Sequence, residues 1–306
     1  MSESSRRDFL KASALGACGM GACGNALAST LGVSSPSPGT PAPSAMKKGV
    51  LYSMLPENIS VADRFKMARD CGFEVMQVPT TTDVKASADI KAAADAAGIR
   101  IDSVMNMDHW KYPLSSSDPA VVEKSLLGMR ASLNNAKQWG ADAVLLVPAV
   151  VDEQTGYREA WTRSEAQIKT LIPLAQELNV VIAIEDVWNK FLLSPLEMAS
   201  YINQFDSPYV KAWFDVGNVV LYGYPQDWIH TLGKSIVKVH LKDFKHTGDA
   251  YKWVNLGEGD VDWPVVQQAF ADIGYTGSVI VELKAGDQAY LRDVSQRVDR
   301  LVLGRG

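Results

Sequence analysis

The sequence predicts an α/β protein whose globular part, residues 46–306, is a single (β/α)8 TIM barrel. Within these limits, short runs rich in Val, Ile and Leu alternate eight times with helix-like stretches. This alternation is typical of parallel strands joined by helical crossovers, and the length is close to the roughly 250 residues of one barrel. An open doubly wound sheet would place a glycine-rich phosphate turn after its first strand, but residues 51–56 contain no glycine. A closed barrel is therefore favoured.

Start and stop signals mark the boundaries of the predicted elements. A helix opens at Ser60, and others end before Gly98 and Gly140, as helices commonly do. The predicted strands cover residues 49–53, 73–78, 100–105, 143–147, 180–186, 211–215, 236–243 and 278–284. The predicted helices cover residues 60–70, 87–97, 119–139, 164–178, 195–204, 227–232, 263–273 and 288–302. Each strand is followed by a helix, as the barrel requires.

Residues 1–28 have the order of regions that twin-arginine export requires. Residues 5–11 (SRRDFLK) contain the arginine pair, a Gly/Ala-rich apolar stretch covers residues 12–28, and Ala26-Leu27-Ala28 forms an A-x-A cleavage site. We therefore expect an exported, periplasmic protein. Lipid anchoring at Cys18 is an open alternative to cleavage, because residues 15–18 (LGAC) resemble a lipobox.

The remaining composition narrows the class of partner. Residues 29–45 include the run SSPSPGTPAPS and predict a flexible linker. The net charge is −5 and no basic run is present, which argues against a nucleic-acid partner. The apolar stretch of the signal is too short and too glycine-rich to span a membrane. Cys71 would be the single cysteine of a cleaved chain, so no internal disulfide is expected. Whether the protein forms a homo-oligomer is left open.

Four strand-like runs in the second half of the chain each end in a side chain that can ligate a metal: Glu185, Asp215, His240 and Glu282. Side chains alternate along a strand, so all four lie opposite an apolar row and point into a barrel at its carboxyl end. Each residue alone is more often a strand cap or the partner of a lysine. Together, three carboxylates and one imidazole suit one divalent cation such as Mn²⁺, Mg²⁺, Co²⁺ or Zn²⁺.

The sequence around these residues resembles the sugar isomerase and epimerase family, the xylose isomerase-like barrels that include ketose 3-epimerases and ketose-phosphate epimerases. The similarity covers residues 48–301 and is most specific in the motifs IEDVWN, FDVGN, VHLKD and LGEGDVDW, at residues 184–189, 214–218, 239–243 and 256–263. The resemblance implies that Glu185, Asp215, His240 and Glu282 hold one divalent metal. It also implies that Glu185 and Glu282 serve as the acid/base pair.

That implied chemistry is physically consistent. Epimerisation beside a ketone removes a weakly acidic C–H proton through an enediolate, whose negative charge a metal stabilises. One carboxylate on each face of the carbon can then take and return the proton. The resemblance departs around the metal: Asn218, His246 and Phe191 stand where the family commonly has histidine, arginine and glutamate. The substrate is therefore not transferred by resemblance.

Six residues are predicted to contact the substrate: Trp188, Asn189, Asn218, Lys242, His246 and His109. Packing is an equally good interpretation of Trp188, and a salt bridge at the rim with Asp243 or another carboxylate is an equally good one of Lys242. A surface role is as good an interpretation of His109.

The first functional hypothesis is a metal-dependent sugar epimerase or isomerase. A free or oxidised sugar is the expected small-molecule substrate, because sugar phosphates are mainly cytosolic. The second is a lyase or dehydratase acting on a keto-polyol or a 3-oxo-glycoside, since the same proton abstraction would start it. The third is a non-catalytic exported sugar-binding protein, against which the complete acid/base pair argues. An abasic-site nuclease is disfavoured, because it needs three metals and many histidines and this chain has four.

Overall fold

Strands and helices alternate along the residues that the computed structural model describes, which are 45–106, 108–248 and 250–305. The strands are β1 (Lys47–Leu51), β2 (Val75–Pro79), β3 (Arg100–Met105), β4 (Ala143–Leu146), β5 (Val181–Glu185), β6 (Val210–Asp215), β7 (Ile236–Leu241), β8 (Asp243–Thr247), β9 (Ala250–Val254) and β10 (Ser278–Val281). The helices are α1 (Val61–Asp70), α2 (Val84–Ala97), α3 (Pro119–Trp139), α4 (Tyr157–Leu178), α5 (Pro195–Asn203), α6 (Pro225–Leu232), α7 (Trp263–Asp272) and α8 (Gln288–Val298).

Eight of these strands close into one barrel in the order β1-β10-β7-β6-β5-β4-β3-β2. Every junction is parallel, so the predicted TIM barrel is confirmed. The predicted export signal over residues 1–28 and the linker up to residue 44 lie outside the described residues. Within the ranges that are described, no helix is long and apolar enough to cross a membrane.

The hairpin and the start of α4 differ from the sequence prediction. The strands β8 and β9 form an antiparallel hairpin outside the barrel, where no strand pair is predicted. Helix α4 begins at Tyr157 rather than at residue 164. Its early turns are stabilised by packing, because Tyr157 and Trp161 both contact the ring of Phe191.

Polar side chains start most of the helices. The N-cap side chains that accept a backbone N–H from the first turn are Ser60, Asp83, Asp118, Ser194, Asp262 and Asp287. Such caps are worth about 1 kcal/mol each. At the other end, Gly98 and Gly140 close α2 and α3 with φ of +65° and +78°, a conformation that favours glycine.

The alternation of side chains sorts the core into two layers. The residues that fill the inside of the barrel are Ala143, Leu145, Ala183, Trp213 and Ile280. Their chain neighbours Ile182, Ile184 and Phe214 face outward into the larger core beneath the helices. Val237 departs from this alternation, because it packs against the inner layer although its chain neighbour Lys238 also points inward. A register shift causes this, since Ala212 pairs with Ile236 while the next residue, Trp213, pairs with Lys238.

A buried ion cluster closes the amino-terminal end of the barrel. Lys238 Nζ lies 2.7 Å from Asp102 Oδ2 and 2.7 Å from Asp142 Oδ1. Asp102 is fully buried and also accepts hydrogen bonds from Arg100 and Ser278. Lys238 therefore has the carboxylate partners that an interior charge requires.

Asp102→Ala is expected to destabilise the fold by about 3–5 kcal/mol, because it removes the buried partner of Lys238. Asp142→Ala is the matched control, since that side chain is 58% exposed and the same change there should cost no more than about 1 kcal/mol. Urea unfolding followed by circular dichroism measures both. Equal, small losses for the two variants would show that this cluster does not stabilise the barrel.

Candidate metal centre and active site

The four predicted metal ligands lie together at the carboxyl ends of β5, β6, β7 and β10. One ligand atom from each of Glu185, Asp215, His240 and Glu282 lies within 4.8 Å of the others. Nδ1 of His240 is at the centre, 2.7 Å from Glu185 Oε1, 2.9 Å from Glu282 Oε2 and 3.8 Å from Asp215 Oδ2. These four side chains are therefore arranged so that they could hold one cation. That they bind a metal stays a prediction.

The other polar atoms of two ligands are already held by the protein. Oδ1 of Asp215 accepts the backbone N–H groups of Gly217 and Asn218 at 2.9 and 3.0 Å. Its Oδ2 faces the cluster, 3.8 Å from His240 Nδ1 and 2.8 Å from Lys242 Nζ. Nε2 of His240 lies 2.7 Å from Gln77 Oε1, so Nδ1 is the ring nitrogen turned toward the carboxylates. Oxygen donors with one imidazole, oriented in this way, fit a divalent cation.

Lys242 supplies the positive charge beside this group of carboxylates. Its Nζ lies 2.8 Å from Asp215 Oδ2 and 3.0 Å from Glu282 Oε2. Burial favours the neutral amine, but Asp215 and Glu282 outweigh it and raise the pKa of Lys242 above its ordinary value. The lysine is therefore charged, and its partners are the cluster carboxylates and not Asp243.

The two glutamates have environments that push their pKa values apart. Burial raises the pKa of Glu185, against the opposing effect of His240. Burial also acts on Glu282, but His240 and Lys242 overcome it and hold the pKa of Glu282 well below its usual range. The Glu282 side chain is 26% exposed and the Glu185 side chain 6%. One carboxyl group is thus favoured as a proton holder and the other as an ionised base.

A glycine and a buried aspartate position the loop after β6. The backbone N–H of Asp215 donates to Asp186 Oδ1 at 2.9 Å, and Asn218 Nδ2 donates to the Asp186 carbonyl at 2.7 Å. Burial, followed by the nearby Asp215, raises the pKa of Asp186 well above its ordinary value. A Cβ at Gly217 would lie 2.6 Å from the Cβ of Lys242, so only glycine lets the two loops approach this closely.

Asp243 holds the loop that joins the hairpin to α7. It is fully buried and accepts the backbone N–H groups of Phe244 and Gly257 at 2.9 and 2.8 Å and the indole N–H of Trp263 at 3.0 Å. A carboxylate bound to several N–H groups in this way fixes the path of the backbone around it. The motif LGEGDVDW at residues 256–263 is therefore a structural loop wrapped around Asp243.

The hairpin places an aromatic wall beside the metal ligands. The ring of Trp253 stacks on Trp188 at 4.9 Å between ring centres. Trp253 is 40% exposed and lines a cavity of about 620 Å³ together with Lys242, Glu282 and Tyr290. The proton-transfer candidate Glu282 therefore faces a space with room for a sugar, bounded on one side by an indole ring.

The profile of the xylose isomerase-like TIM barrel family matches residues 65–299 of this sequence, which is most of the chain. The protein belongs to this family. The sequence resemblance noted above is thereby confirmed, with the closed barrel as the shared architecture.

Several of the similar proteins are named as epimerases. L-ribulose-5-phosphate 3-epimerase UlaE from Escherichia coli O1:K1 is 26% identical over 246 residues, covering 77% of this chain and 86% of that protein. The crystal structure of 3-keto-D-glucoside 4-epimerase YcjR from E. coli superposes with a TM-score of 0.71 at 15% identity, over 83% of this chain and 99% of YcjR. The crystal structure of D-psicose 3-epimerase superposes with a TM-score of 0.70 at 19% identity, over 85% of this chain and 100% of that protein. At these identities the two crystal structures show a shared fold.

Some of the residues predicted to contact substrate make hydrogen bonds to other parts of the protein. Asn189 is buried, donates through Nδ2 to the Ala149 carbonyl and accepts the Phe191 N–H through Oδ1. Trp188 donates to the carbonyl of Asn218 at 2.9 Å, so its indole N–H is also occupied. The contacts of Trp188 agree with its packing interpretation, and a contact of Asn189, Asn218 or Trp188 with substrate stays a prediction.

The two histidines predicted to contact substrate, His109 and His246, lie in different environments. His109 is buried, so the surface interpretation was wrong; its Nδ1 accepts the N–H of Val147 at 3.3 Å. Burial lowers the pKa of His109 to about 4, against the attraction of Glu282, which leaves a neutral ring with its proton on Nε2. His246 is exposed on the hairpin and lines a second cavity of about 500 Å³, which none of the four candidate metal ligands lines. Its contact with substrate stays a prediction.

Three residues of the site were not singled out in the sequence: Gln77, Asp186 and Trp253. Gln77 had a signal, since it is a polar residue inside the otherwise apolar run VMQVP of β2. Asp186 follows Glu185 directly and has the opposite parity, which points away from a ligand role. Trp253 belongs to the hairpin that the sequence analysis missed.

Proposed function

We propose that this protein is a divalent-metal-dependent sugar epimerase or isomerase that moves a proton at the carbon next to a carbonyl group. The observation that carries the proposal is the position of Glu185 and Glu282. Both carboxylates reach the same imidazole nitrogen, at 2.7 and 2.9 Å, beside a third carboxylate and a charged lysine. A pair of carboxylates around one cation-binding point is what proton removal and return at a single carbon requires.

The protein side chains divide the work in the proposed reaction. A cation held by the four ligands would polarise the carbonyl group and lower the pKa of the adjacent C–H. Glu282 lines the cavity and is held ionised, so it is suited to take the proton. Glu185, which reaches the same imidazole nitrogen at 2.7 Å, is suited to return a proton from the other side. Lys242, fixed between Asp215 and Glu282, adds positive charge where the enediolate forms.

The proposed substrate is a free or oxidised sugar. The cavity of about 620 Å³ is large enough for a sugar ring, and the indole of Trp253 and the ring of Tyr290 give it apolar surfaces that suit the C–H face of a pyranose. The twin-arginine signal predicted at residues 1–28 supports a periplasmic site of action, away from the cytosolic pool of sugar phosphates. Oligomeric state does not enter this proposal.

Solvent exchange at carbon tests the proposal directly. The protein is loaded with Mn²⁺, Mg²⁺, Co²⁺ or Zn²⁺ and incubated in D₂O with a panel of ketoses and oxidised glycosides. The cation is then removed, and the sugars in the mixture are examined by NMR. We expect deuterium to enter one carbon-bound position of at least one sugar, with a stereoisomer or an aldose–ketose isomer as the product. A product that has lost water or has been cleaved into fragments would replace epimerisation with the lyase hypothesis. Binding of a sugar without deuterium uptake would support a non-catalytic sugar-binding protein instead.

A further inference from the structure

We infer that Gln77 is a positioning residue that fixes the ring of His240, so that Nδ1 and not Nε2 is available to the cation. The inference rests on the proposed metal site and assigns a role to a residue outside the four ligands. Gln77 Oε1 lies 2.7 Å from His240 Nε2, and both side chains are fully buried. An amide oxygen can only accept, so Nε2 carries a proton, and the proton on Nδ1, which faces the carboxylates, is the one that a cation would replace.

The contact crosses the interior of the barrel. Gln77 belongs to β2, whose neighbours are β1 and β3, while His240 belongs to β7, whose neighbours are β10 and β6. The two side chains therefore meet inside the barrel and not along a shared strand edge. Because Nε2 is held from one side, the ring presents Nδ1 to Glu185 and Glu282 on the opposite side, at 2.7 and 2.9 Å.

The opposite amide orientation would be incompatible with a metal ligand. If the Gln77 amide nitrogen faced the ring, Nε2 would have to accept and the neutral ring would carry its proton on Nδ1. That proton would point into the group of carboxylates and exclude a cation from Nδ1. The hydrogen-bond partner of the second nitrogen generally sets which histidine nitrogen a metal uses.

Fold stability alone does not account for a glutamine at this position. Its Nε2 is buried and has no hydrogen-bond partner among the described residues. A leucine or methionine would fill similar space in the strand VMQVP without burying an unpaired amide nitrogen. The bond from His240 to Oε1 is therefore the one polar contact that accounts for the amide.

Two substitutions separate positioning from packing. Gln77→Met keeps the length of the side chain and removes the acceptor, whereas Gln77→Glu keeps an oxygen facing Nε2. We expect Gln77→Met to weaken binding of Zn²⁺, measured by calorimetry with the ion alone, by about 10–100-fold. Gln77→Glu should bind Zn²⁺ at least as tightly as the wild type does.

Gln204→Met is the matched control. Gln204 also accepts a ring N–H through Oε1, from Trp161 at 2.9 Å, and also has a buried Nε2 without a partner among the described residues. It lies on the helical layer, away from the four ligands. Its substitution should leave the affinity for Zn²⁺ unchanged even if it lowers the unfolding temperature.

The tautomer of His240 gives a readout that packing does not move. In the Zn²⁺-loaded wild type, ¹⁵N NMR should show a proton on Nε2 and none on Nδ1; the chain has four histidines, so assignment by substitution is practical. If the wild type binds Zn²⁺ but Gln77→Met binds it equally well, the inference is wrong and the proposed metal site stands. If the wild type binds no Zn²⁺, both are wrong. A proton on Nδ1 of the loaded protein would also overturn the inference.

Discussion

Glu282→Gln is expected to lower the rate of carbon-bound hydrogen exchange by about 10²–10⁴-fold, the range for removal of a positioned acid or base. The substitution keeps the size of the side chain and its place 2.9 Å from His240 Nδ1, but it removes the only basic form of the group. Because Glu282 is the more exposed of the two glutamates and is held ionised, we expect the loss to appear mainly in kcat. The measurement is deuterium uptake from D₂O under single-turnover and steady-state conditions.

Glu185→Gln should lower the rate of product formation by the same order, but it should affect solvent exchange less than product formation. If Glu185 returns the proton from the other side, its amide variant can still exchange hydrogen at Glu282 without forming the epimer. We therefore expect Glu185→Gln to retain more solvent exchange than product formation, whereas Glu282→Gln loses both.

Controls for these variants must exclude a folding defect. Glu165→Gln is the matched substitution on the surface of α4, where Glu165 pairs with Lys169, and it should be fully active. Circular dichroism of all three variants should match the wild type. Near-normal turnover by either Glu185→Gln or Glu282→Gln would rule out the proposed proton-transfer pair.

The barrel and the metal cluster were predictable because each rests on a local pattern. Alternation within a strand tells which face a residue occupies, and four strand ends with matching parity must converge if the strands close into a barrel. The bounds of β3 and α3 were predicted to the residue. At β7 the same reasoning failed locally, because a register shift between Ala212 and Trp213 turns Val237 toward the inner layer.

The residues that the sequence did not reveal act through contacts between distant segments. Gln77 meets His240 only because β2 and β7 face each other inside the closed barrel. The sequence did not predict the hairpin because most of β9 is exposed, so its side chains do not show the apolar alternation of a half-buried strand. Trp253 was missed for the same reason, because it belongs to β9. Such contacts depend on how the barrel closes and on the path that its loops take. The spacing of residues within one segment encodes neither.

Asp215→Asn is expected to abolish the stabilisation that a divalent cation gives the wild-type protein. In the wild type, a cation at 100 times its Kd should stabilise the fold by about 2.7 kcal/mol, a rise of about 5–10 °C in Tm for a chain of this size. In the variant, the side-chain oxygen should stay with the N–H groups of Gly217 and Asn218, since those bonds need an acceptor. The amide –NH₂ then occupies the position of Oδ2, and its hydrogens repel a cation.

The comparison of cation effects separates loss of the ligand from loss of the fold. Asp142→Asn makes the same chemical change at the amino-terminal end of the barrel, beside Lys238, and should keep the full rise in Tm with Mn²⁺ or Zn²⁺. Calorimetric scans with and without chelator measure both variants. An equal cation-dependent rise in Asp215→Asn would place the cation outside this cluster, because a carboxylate that ligates it cannot be exchanged for an amide donor without loss of affinity. Absence of any rise in the wild type with all four cations would remove the metal from the mechanism, and the positive charge that stabilises an enediolate beside Asp215 and Glu282 would then have to come from Lys242 and a protonated His240.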